Sequence, residues 1–189
     1  MEMVIDPKKP HLGGDIKDGD PKTWCPKLWD TLIPPGSRVL DIGCGEGQAL
    51  EYMRREIEWC YAIGIDGIPR SAPGILRHDY TTGPYYASHE YEPFDVIWSC
   101  EFLEHLEERF LPNVLETFKR GRRLLVTAAA PDQPGHHHVN CRTKEYWKGV
   151  FAAIGYRFNS ALTAESLDWA PGTWWEENGM IFDFVGDWR

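Results

Sequence analysis

The stretch 39–50 constrains the fold of this chain more than any other part of the sequence. It reads VLDIGCGEGQAL, which is an apolar run of the strand type, a turn with three glycines and the beginning of a helix. Glycine lets the backbone bend tightly and approach a ligand where a Cβ atom would clash. The exposed N–H groups of the loop and of the helix start suit an anion such as a carboxylate. The stretch therefore predicts a strand–loop–helix unit with a ligand site at the loop.

The spacing of the glycines narrows the class of ligand. Gly43, Gly45 and Gly47 form the pattern Gly-x-Gly-x-Gly, which differs from the Gly-x-Gly-x-x-Gly of dinucleotide-binding proteins. Asp41 precedes the loop and can orient it or accept a hydrogen bond from a cationic group. An ordinary turn between a strand and a helix also uses these residue types, so the rest of the chain has to test the interpretation.

Composition excludes several classes of function. The chain has 189 residues, which is enough for one complete α/β domain. A net charge of -9 disfavours non-specific binding to nucleic acid. The five cysteines are scattered without CxxC spacing, so neither a disulfide framework nor a zinc site is expected. Because no apolar run has membrane-spanning length and the first residues do not resemble a signal peptide, we expect a soluble, cytoplasmic protein with no membrane partner.

Strand and helix patterns alternate along most of the chain. After a lead-in helix over 21–33, apolar runs predict strands over 39–42, 61–66, 75–78, 94–99, 122–131, 156–162 and 180–185. Helical periodicity is present over 46–59, 100–119 and 143–155. The last two strands have no predicted helix between them. This order predicts an α/β sandwich whose ending differs from that of an ordinary doubly wound nucleotide-binding fold.

The second predicted strand ends in Asp66, which lies 23 residues after Gly43. An acidic residue about 20 residues after a glycine loop commonly binds ribose hydroxyls, because a carboxylate accepts two hydroxyl protons. A turn aspartate before Gly67 is the simpler alternative. Since the glycine loop lies upstream, the ligand role is favoured.

The glycine loop, Asp66, Asp79 after the third strand and the run FDVIWSCEFLEHL over 94–106 occur in a characteristic order. Together with the closing strands, they make the chain resemble the class I S-adenosylmethionine-dependent methyltransferases. The resemblance implies an α/β, Rossmann-like three-layer sandwich with a seven-stranded, mostly parallel sheet and an antiparallel last strand. It also implies an N-terminal arm and lead-in helix over 1–35 and a methyltransferase domain over 36–189.

The resemblance further implies that S-adenosylmethionine is the cofactor and that its ligands lie at the carboxyl ends of the strands. The implied binding residues are Asp41, Gly43, Gly45, Asp66, Gly67, Ile68, Asp79, Tyr80 and Ser99. Asp41 and the glycines would surround the methionine part, and Asp66 would hold the ribose. Ile68 would border the adenine, and Asp79 would accept its amine. Ser99 would line the side of the methyl donor.

Two groups of residues are candidates for the acceptor side. A sulfonium is a strong methyl donor, so aligning the acceptor supplies much of the acceleration, and a hydroxyl acceptor also gains from a base or a metal. Glu101, Glu104 and His105 have the spacing i, i+3, i+4, which would place them on one face of a helix start. His138 belongs to a loop at the same sheet edge. We predict that His105 and His138 act as general base or position the acceptor.

The run Glu101-x-x-Glu104-His105 (ExxEH) is also a candidate metal site. A similar run occurs in ubiquinone-pathway O-methyltransferases and in small-RNA 2′-O-methyltransferases. In the RNA enzymes two acids and two histidines hold a divalent ion, and the matching residues here are Glu101, Glu104, His105 and His138. Acids at a helix start also complement its dipole without any ion. We predict no bound metal, with a divalent ion kept as an alternative.

The sequence therefore predicts a methyltransferase that acts on a small-molecule acceptor through a hydroxyl group. Tryptophans near the two ends of the chain are candidates for the roof of the acceptor pocket: Trp24, Trp169, Trp174 and Trp175. Two alternatives stay open. One is metal-assisted methylation of an RNA terminal 2′-hydroxyl, which the acidic composition disfavours. The other is a protein that binds S-adenosylmethionine without turnover.

Overall fold

The computed structural model describes residues 3–4, 8–12, 15–16, 20–86 and 93–186. Near the N-terminus, β1 (Met3–Val4) pairs antiparallel with β2 (Asp15–Ile16). The main sheet has seven strands: β3 (Arg38–Ile42), β4 (Tyr61–Asp66), β5 (Ile75–Arg77), β6 (Phe94–Ser99), β7 (Gly121–Val126), β8 (Tyr156–Phe158) and β9 (Met180–Phe184). Their order across the sheet is β5-β4-β3-β6-β7-β9-β8.

The direction of the strands confirms the predicted fold class. The strands β5, β4, β3, β6 and β7 are parallel, and β9 runs antiparallel to both β7 and β8. From β3 the chain builds outward to β5 and then returns to β6 on the other side of β3. This reversal creates a crevice at the carboxyl ends of β3 and β6, where ligands of open α/β sheets bind.

Helices cover both faces of the sheet. They are α1 (Pro26–Leu32), α2 (Gln48–Glu56), α3 (Leu111–Phe118), α4 (Lys144–Ala153), α5 (Ser160–Leu167) and α6 (Trp174–Asn178). Successive residues of a strand enter two separate cores on the two faces of the sheet. Leu40 belongs to one core with Phe118 and Phe151. Val39 belongs to the other with Trp29 and Met53. The result is a three-layer sandwich. Within the described part of the chain, no helix has the length and apolar character needed to cross a bilayer.

The helix predicted over 100–119 is wrong in its first half. The structure has two single 3₁₀ turns, Leu103–His105 and Glu108–Phe110, and a regular helix only from Leu111. Glu101 adopts a left-handed backbone with φ of 50°, which interrupts a right-handed helix. Pro112 lacks an N–H group and fits only the first turn, so the helix begins beside it. The ExxEH run therefore lies on a loop instead of one helix face.

The strand predicted over 156–162 ends early. Two helices, α5 and α6, lie between the last two strands, β8 and β9, where no helix was predicted. β8 stops at Phe158 because the Asn159 side chain accepts a hydrogen bond from the N–H of Leu162 and starts α5. Thr163 and Ser166 are the buried residues of α5, so no apolar stripe marks it in the sequence. The helices predicted over 21–33 and 46–59 are real but shorter, as α1 and α2.

The predicted boundary at residue 36 stays a prediction. α1 packs Leu28 and Trp29 into the same core as Val39 of β3, so the lead-in helix is part of the sandwich. Of the N-terminal arm before it, only short pieces belong to the described residues. One of them is a 3₁₀ turn, Pro10–Leu12.

Candidate active site

The glycine loop connects β3 to α2 at the crevice. Gly43, Gly45 and Gly47 have φ angles of 77°, 54° and 82°, which favour glycine. A Cβ atom on Gly43 would lie 2.6 Å from the Phe102 ring, so the loop also needs a glycine for space. The N–H groups of Gly43 and Cys44 donate to the Ile65 carbonyl. The expectation that the loop leaves its N–H groups exposed is therefore wrong for these positions.

Asp66 braces the same loop from the end of β4. Its Oδ2 accepts from the N–H of Gly45 at 2.9 Å, and its Oδ1 accepts from the N–H of Ile68 at 2.8 Å. The Arg70 guanidinium lies 3.4 Å from Oδ1. Burial raises the pKa of Asp66, and the hydrogen bonds and the charge of Arg70 offset only part of this effect. The carboxylate is held in one orientation at the edge of the crevice.

Two adjoining cavities open along the carboxyl edge of the sheet. The larger has a volume of about 320 Å³ and the smaller about 130 Å³. Five residues line both of them: Gly43, Gly45, Arg70, Glu101 and His105. The two cavities are therefore neighbours, and residues of the glycine loop and of the ExxEH loop lie between them.

Most of the predicted cofactor residues lie around this site. The smaller cavity is lined by Gly43, Gly45, Asp66, Gly67, Asp79 and Tyr80, and the larger by Asp41 together with the same two glycines. Asp41 is 3% exposed. Burial and the nearby Asp66 raise its pKa well above the usual range. A cationic ligand group beside Asp41 would compensate its charge, which fits the ammonium of a methionine part.

Two predicted cofactor residues line neither of these two cavities. Ser99 is fully buried, and its Oγ donates to the Ile42 carbonyl at 3.0 Å, which ties β6 to β3. Ile68 lines neither cavity and contributes its N–H group to Asp66. The sequence places both residues correctly at strand ends, but the side chain of Ser99 points into the core.

Asp79 is held at the rim of the smaller cavity. Its Oδ1 accepts from the N–H of Thr81 at 3.0 Å and from the Thr81 hydroxyl at 2.7 Å. Its Oδ2 lies 3.0 Å from Nε2 of His11 in the N-terminal arm. Tyr80 beside it is buried and donates its hydroxyl to Thr117. Nothing in the sequence linked His11 to this site.

The larger cavity contains a cluster of acidic and imidazole groups. One ligand atom from each of Glu104, His105 and His138 lies within 4.8 Å of the others. Glu104 is fully buried, and neither carboxylate oxygen forms a well-aligned hydrogen bond within the described chain. Burial and the neighbouring Glu101 raise its pKa well above the usual range. A buried carboxylate of this kind needs a proton, a cation or a ligand donor.

Both histidines of the cluster present a nitrogen that can accept. Nδ1 of His138 lies 3.0 Å from the Gln133 carbonyl, so Nδ1 carries the proton and Nε2 is the basic nitrogen of the neutral ring. Burial and the neighbouring His138 lower the pKa of His105 to about 4. Gly135 lies so close to the His138 ring that a Cβ atom would clash with it. Gln133 and Gly135, which orient His138, were not expected from the sequence.

Glu101 lies beside this cluster but is not one of the three residues whose ligand atoms lie within 4.8 Å of one another. Its Oε2 accepts from the Gln133 side chain at 2.9 Å, and its N–H donates to the Thr127 hydroxyl. Of the three consecutive histidines, His136 and His138 line the larger cavity and His137 does not. Among the described residues, the geometry favours a three-residue cluster over the four-residue set that the resemblance implied.

Aromatic rings close the outer part of the larger cavity. Of the four predicted tryptophans, Trp24 and Trp174 line it, and Trp174 donates to Asp20 at 2.8 Å. Trp175 is fully buried and stacks on Trp98, which lines the cavity instead. Trp169 packs against the core and takes no part in the lining.

The order of the strands and the position of the glycine loop define a class I S-adenosylmethionine-dependent methyltransferase. The model of a family described as a methyltransferase domain matches residues 18–170, and the chain belongs to that family. This assignment supports S-adenosylmethionine as the cofactor.

Similar proteins agree with this assignment. A 2-methyl-6-phytyl-1,4-hydroquinone methyltransferase of a Synechocystis species is 31% identical over 51% of this chain and 33% of that protein. A ubiquinone biosynthesis O-methyltransferase of Hahella chejuensis is 37% identical over 39% of this chain and 34% of that protein. The match thus spans about a third of the length of these curated relatives.

A solved structure gives the same fold. The TehB-like methyltransferase of Corynebacterium glutamicum superimposes with a TM-score of 0.58 at 17% identity, over 85% of this chain and 86% of that chain. At this identity the likeness concerns the fold alone.

Proposed function

We propose that this methyltransferase transfers a methyl group to a hydroxyl of a small aromatic molecule bound in the larger cavity. The observation that carries the proposal is the junction of the two cavities at Gly43, Glu101 and His105. Residues suited to the nucleoside line the smaller cavity, while the acid–imidazole cluster and the tryptophans line the larger. The acceptor and the cofactor would therefore meet at one place in the protein.

The nucleoside part of S-adenosylmethionine would be held by two carboxylates. Asp66, which the loop N–H groups fix, would accept the ribose hydroxyls, and Asp79 would accept the adenine amine. Asp41 would pair with the ammonium of the methionine part. Each of these residues supplies the charge or lone pair that the matching cofactor group requires.

The acceptor end would use the cluster of Glu104, His105 and His138. His105 is neutral at neutral pH because its pKa lies near 4, so it can accept a hydrogen bond from a hydroxyl. Burial raises the pKa of Glu104, so its ionised form binds a proton more strongly than an exposed carboxylate does. An acceptor hydroxyl that partly transfers its proton to these groups is a stronger nucleophile than a free hydroxyl.

An aromatic acceptor is supported by the aromatic side chains that line the larger cavity and by the names of the relatives. Trp24, Trp29, Trp98 and Trp174 all line the larger cavity, and aromatic rings pack well against such side chains. The names of the two curated relatives refer to a hydroquinone and to ubiquinone biosynthesis. A phenol or hydroquinone is the acceptor class that fits both observations.

The experiment is calorimetry followed by a transfer assay. We expect the purified protein to bind S-adenosylhomocysteine and not NAD, and Asp66→Ala to weaken that binding. Labelled S-adenosylmethionine is then offered with phenols, hydroquinones, aliphatic alcohols and a short RNA. Transfer only to the RNA or only to aliphatic alcohols would contradict the proposed acceptor. Binding with no transfer to any acceptor would favour the non-catalytic alternative.

A second candidate function, metal-assisted methylation of an RNA terminal 2′-hydroxyl, rests on the same cluster. A carboxylate and two imidazoles suit a divalent transition metal, and Glu104, His105 and His138 would hold it. Such an ion lowers the pKa of a coordinated hydroxyl. We would then expect Mn²⁺ or Mg²⁺ to stimulate transfer and Glu104→Ala to abolish the stimulation. Activity that a chelator leaves unchanged would contradict this candidate, which the net charge of -9 already disfavours.

A cytoplasmic location is also part of the proposal. All five cysteines of the chain are free thiols, which suits a reducing compartment. A fusion to a fluorescent protein in cells tests this point, and recovery of the fusion in a membrane fraction would contradict it.

A further inference from the structure

The N-terminal arm reaches the smaller cavity through the turn Pro10–Leu12. His11 and Leu12 line this cavity together with Asp66, Gly67 and Asp79. These last three residues were expected from the sequence to hold the nucleoside. A part of the chain far from them in sequence therefore shares the same site.

His11 anchors the turn to the sheet edge. Its Nε2 lies 3.0 Å from Oδ2 of Asp79, and the two side chains are only 22% and 19% exposed. Thr81 occupies the other oxygen of Asp79 with its N–H and its hydroxyl. The carboxylate thus faces the arm on one side and its own turn on the other.

Leu12 supplies an apolar surface at this polar rim. A Cβ atom on Gly67 would lie 2.5 Å from Cδ2 of Leu12, so the leucine packs directly on the glycine backbone. Phe102 and Leu106 line the same cavity from the loop after β6. A flat heteroaromatic base needs apolar contacts on its faces and polar groups at its edge. Leu12, Phe102 and Leu106 can provide the first, and Asp79 the second.

The same arm has a second contact at the larger cavity. Oδ2 of Asp20 accepts from Nε1 of Trp174 at 2.8 Å, and Thr23 and Trp24 continue the lining. Two separate hydrogen bonds therefore hold the arm against the site, one at each cavity.

We propose that the turn Pro10–Leu12 is part of the cofactor site. Leu12 forms an apolar wall for the adenine, and His11 is a positioning residue that holds this wall in place through Asp79. The inference rests on the placement of the nucleoside at Asp66 and Asp79 given above. It adds two binding determinants that lie outside the glycine loop and the strand ends.

Calorimetry with S-adenosylhomocysteine on the full chain tests the proposal. We expect Leu12→Ala to weaken binding about tenfold, which corresponds to losing the burial of most of a leucine side chain. His11→Ala should weaken it several-fold, and His11→Gln, which keeps an N–H donor for Asp79, should restore most of the affinity. Lys9→Ala is the matched control, because Lys9 is in the arm but lines neither cavity.

The variants at Leu12 and His11 test the role of the arm, and the variant at Asp66 tests the placement of the nucleoside. Unchanged or tighter binding in both Leu12→Ala and His11→Ala would overturn the inference, and tighter binding would mean that the arm obstructs the cavity. Equal losses in His11→Ala and His11→Gln would overturn the positioning role of His11. Asp66→Ala is measured in parallel, and full affinity in that variant would refute the placement itself.

Discussion

The N–H of Gly45 donates a hydrogen bond of 2.9 Å to Oδ2 of Asp66, which is 21 residues further along the chain. This bond connects the glycine loop to the end of the neighbouring strand. The carboxylate that is suited to ribose hydroxyls is therefore also a structural support of the loop. Changes at Asp66 should affect stability as well as binding.

Asp66→Asn tests this double role. The amide would present an N–H₂ group to one of the two backbone N–H donors, Gly45 or Ile68, because only one of its atoms can accept. We expect the free energy of unfolding to fall by about 1–3 kcal/mol, the range for a buried hydrogen-bond donor that is left without a partner. Urea unfolding without ligand measures this loss. A variant as stable as the wild type would show that the carboxylate does not support the loop.

Gly43→Ala should damage the loop by a clash as well as by its backbone angle. Gly43 has φ of 77°, and its Cβ atom would meet the Phe102 ring. Gly36 has φ of 78° with no atom within 4 Å of a Cβ, so Gly36→Ala isolates the backbone effect. We expect about 1 kcal/mol of destabilisation for Gly36→Ala and a clearly larger loss, with weaker S-adenosylhomocysteine binding, for Gly43→Ala. Equal effects on stability would exclude the clash.

Ser99→Ala separates a structural role from a role in binding. Because its Oγ donates to the Ile42 carbonyl inside the core, we expect the substitution to cost about 1 kcal/mol of stability. Affinity for S-adenosylhomocysteine should remain that of the wild type. Calorimetry and urea unfolding on the same preparation provide both values, and a loss of affinity without a loss of stability would restore the role expected from the sequence.

The sheet could be predicted because its strands are strongly apolar. Runs such as FDVIWS in β6 are buried on both faces, and their carboxyl ends share one edge of a parallel sheet. The positions of Asp41, Asp66 and Asp79 follow directly from this rule. The loop after β6 could not be predicted in the same way. Its apolar residues have helical spacing, yet the left-handed backbone of Glu101 breaks the helix.

Contacts between distant segments set the rest of the site. His11 and Asp79 are 68 residues apart, and no local pattern in the arm indicates that they meet. The backbone carbonyl of Gln133 orients His138 by a hydrogen bond, and Gly135 leaves space for the His138 ring because it has no side chain. Neither feature has a sequence signature. The sequence therefore indicated which residues carry chemistry, and the packing determined which of them meet.

The contact between His11 and Asp79 should also be visible as a pH effect. Burial by itself would raise the pKa of Asp79, but the hydrogen bonds from His11 and Thr81 outweigh it and lower the pKa below the ordinary value. A carboxyl whose folded pKa is lowered contributes stability above its unfolded pKa of about 3.9 and loses it as the pH falls through the folded value. His11→Ala removes one of the lowering contacts, so Asp79 should titrate at a higher pH.

Carbon-detected NMR of the Asp79 carboxyl measures this titration without the cofactor. We expect its midpoint to move upward in His11→Ala and to stay close to the wild-type value in Lys9→Ala. Loss of stability on acidification should then begin at a higher pH in His11→Ala than in the control. If the Asp79 midpoint is the same in all three proteins, the arm does not contact Asp79 in solution, and the acid sensitivity of the fold has another source.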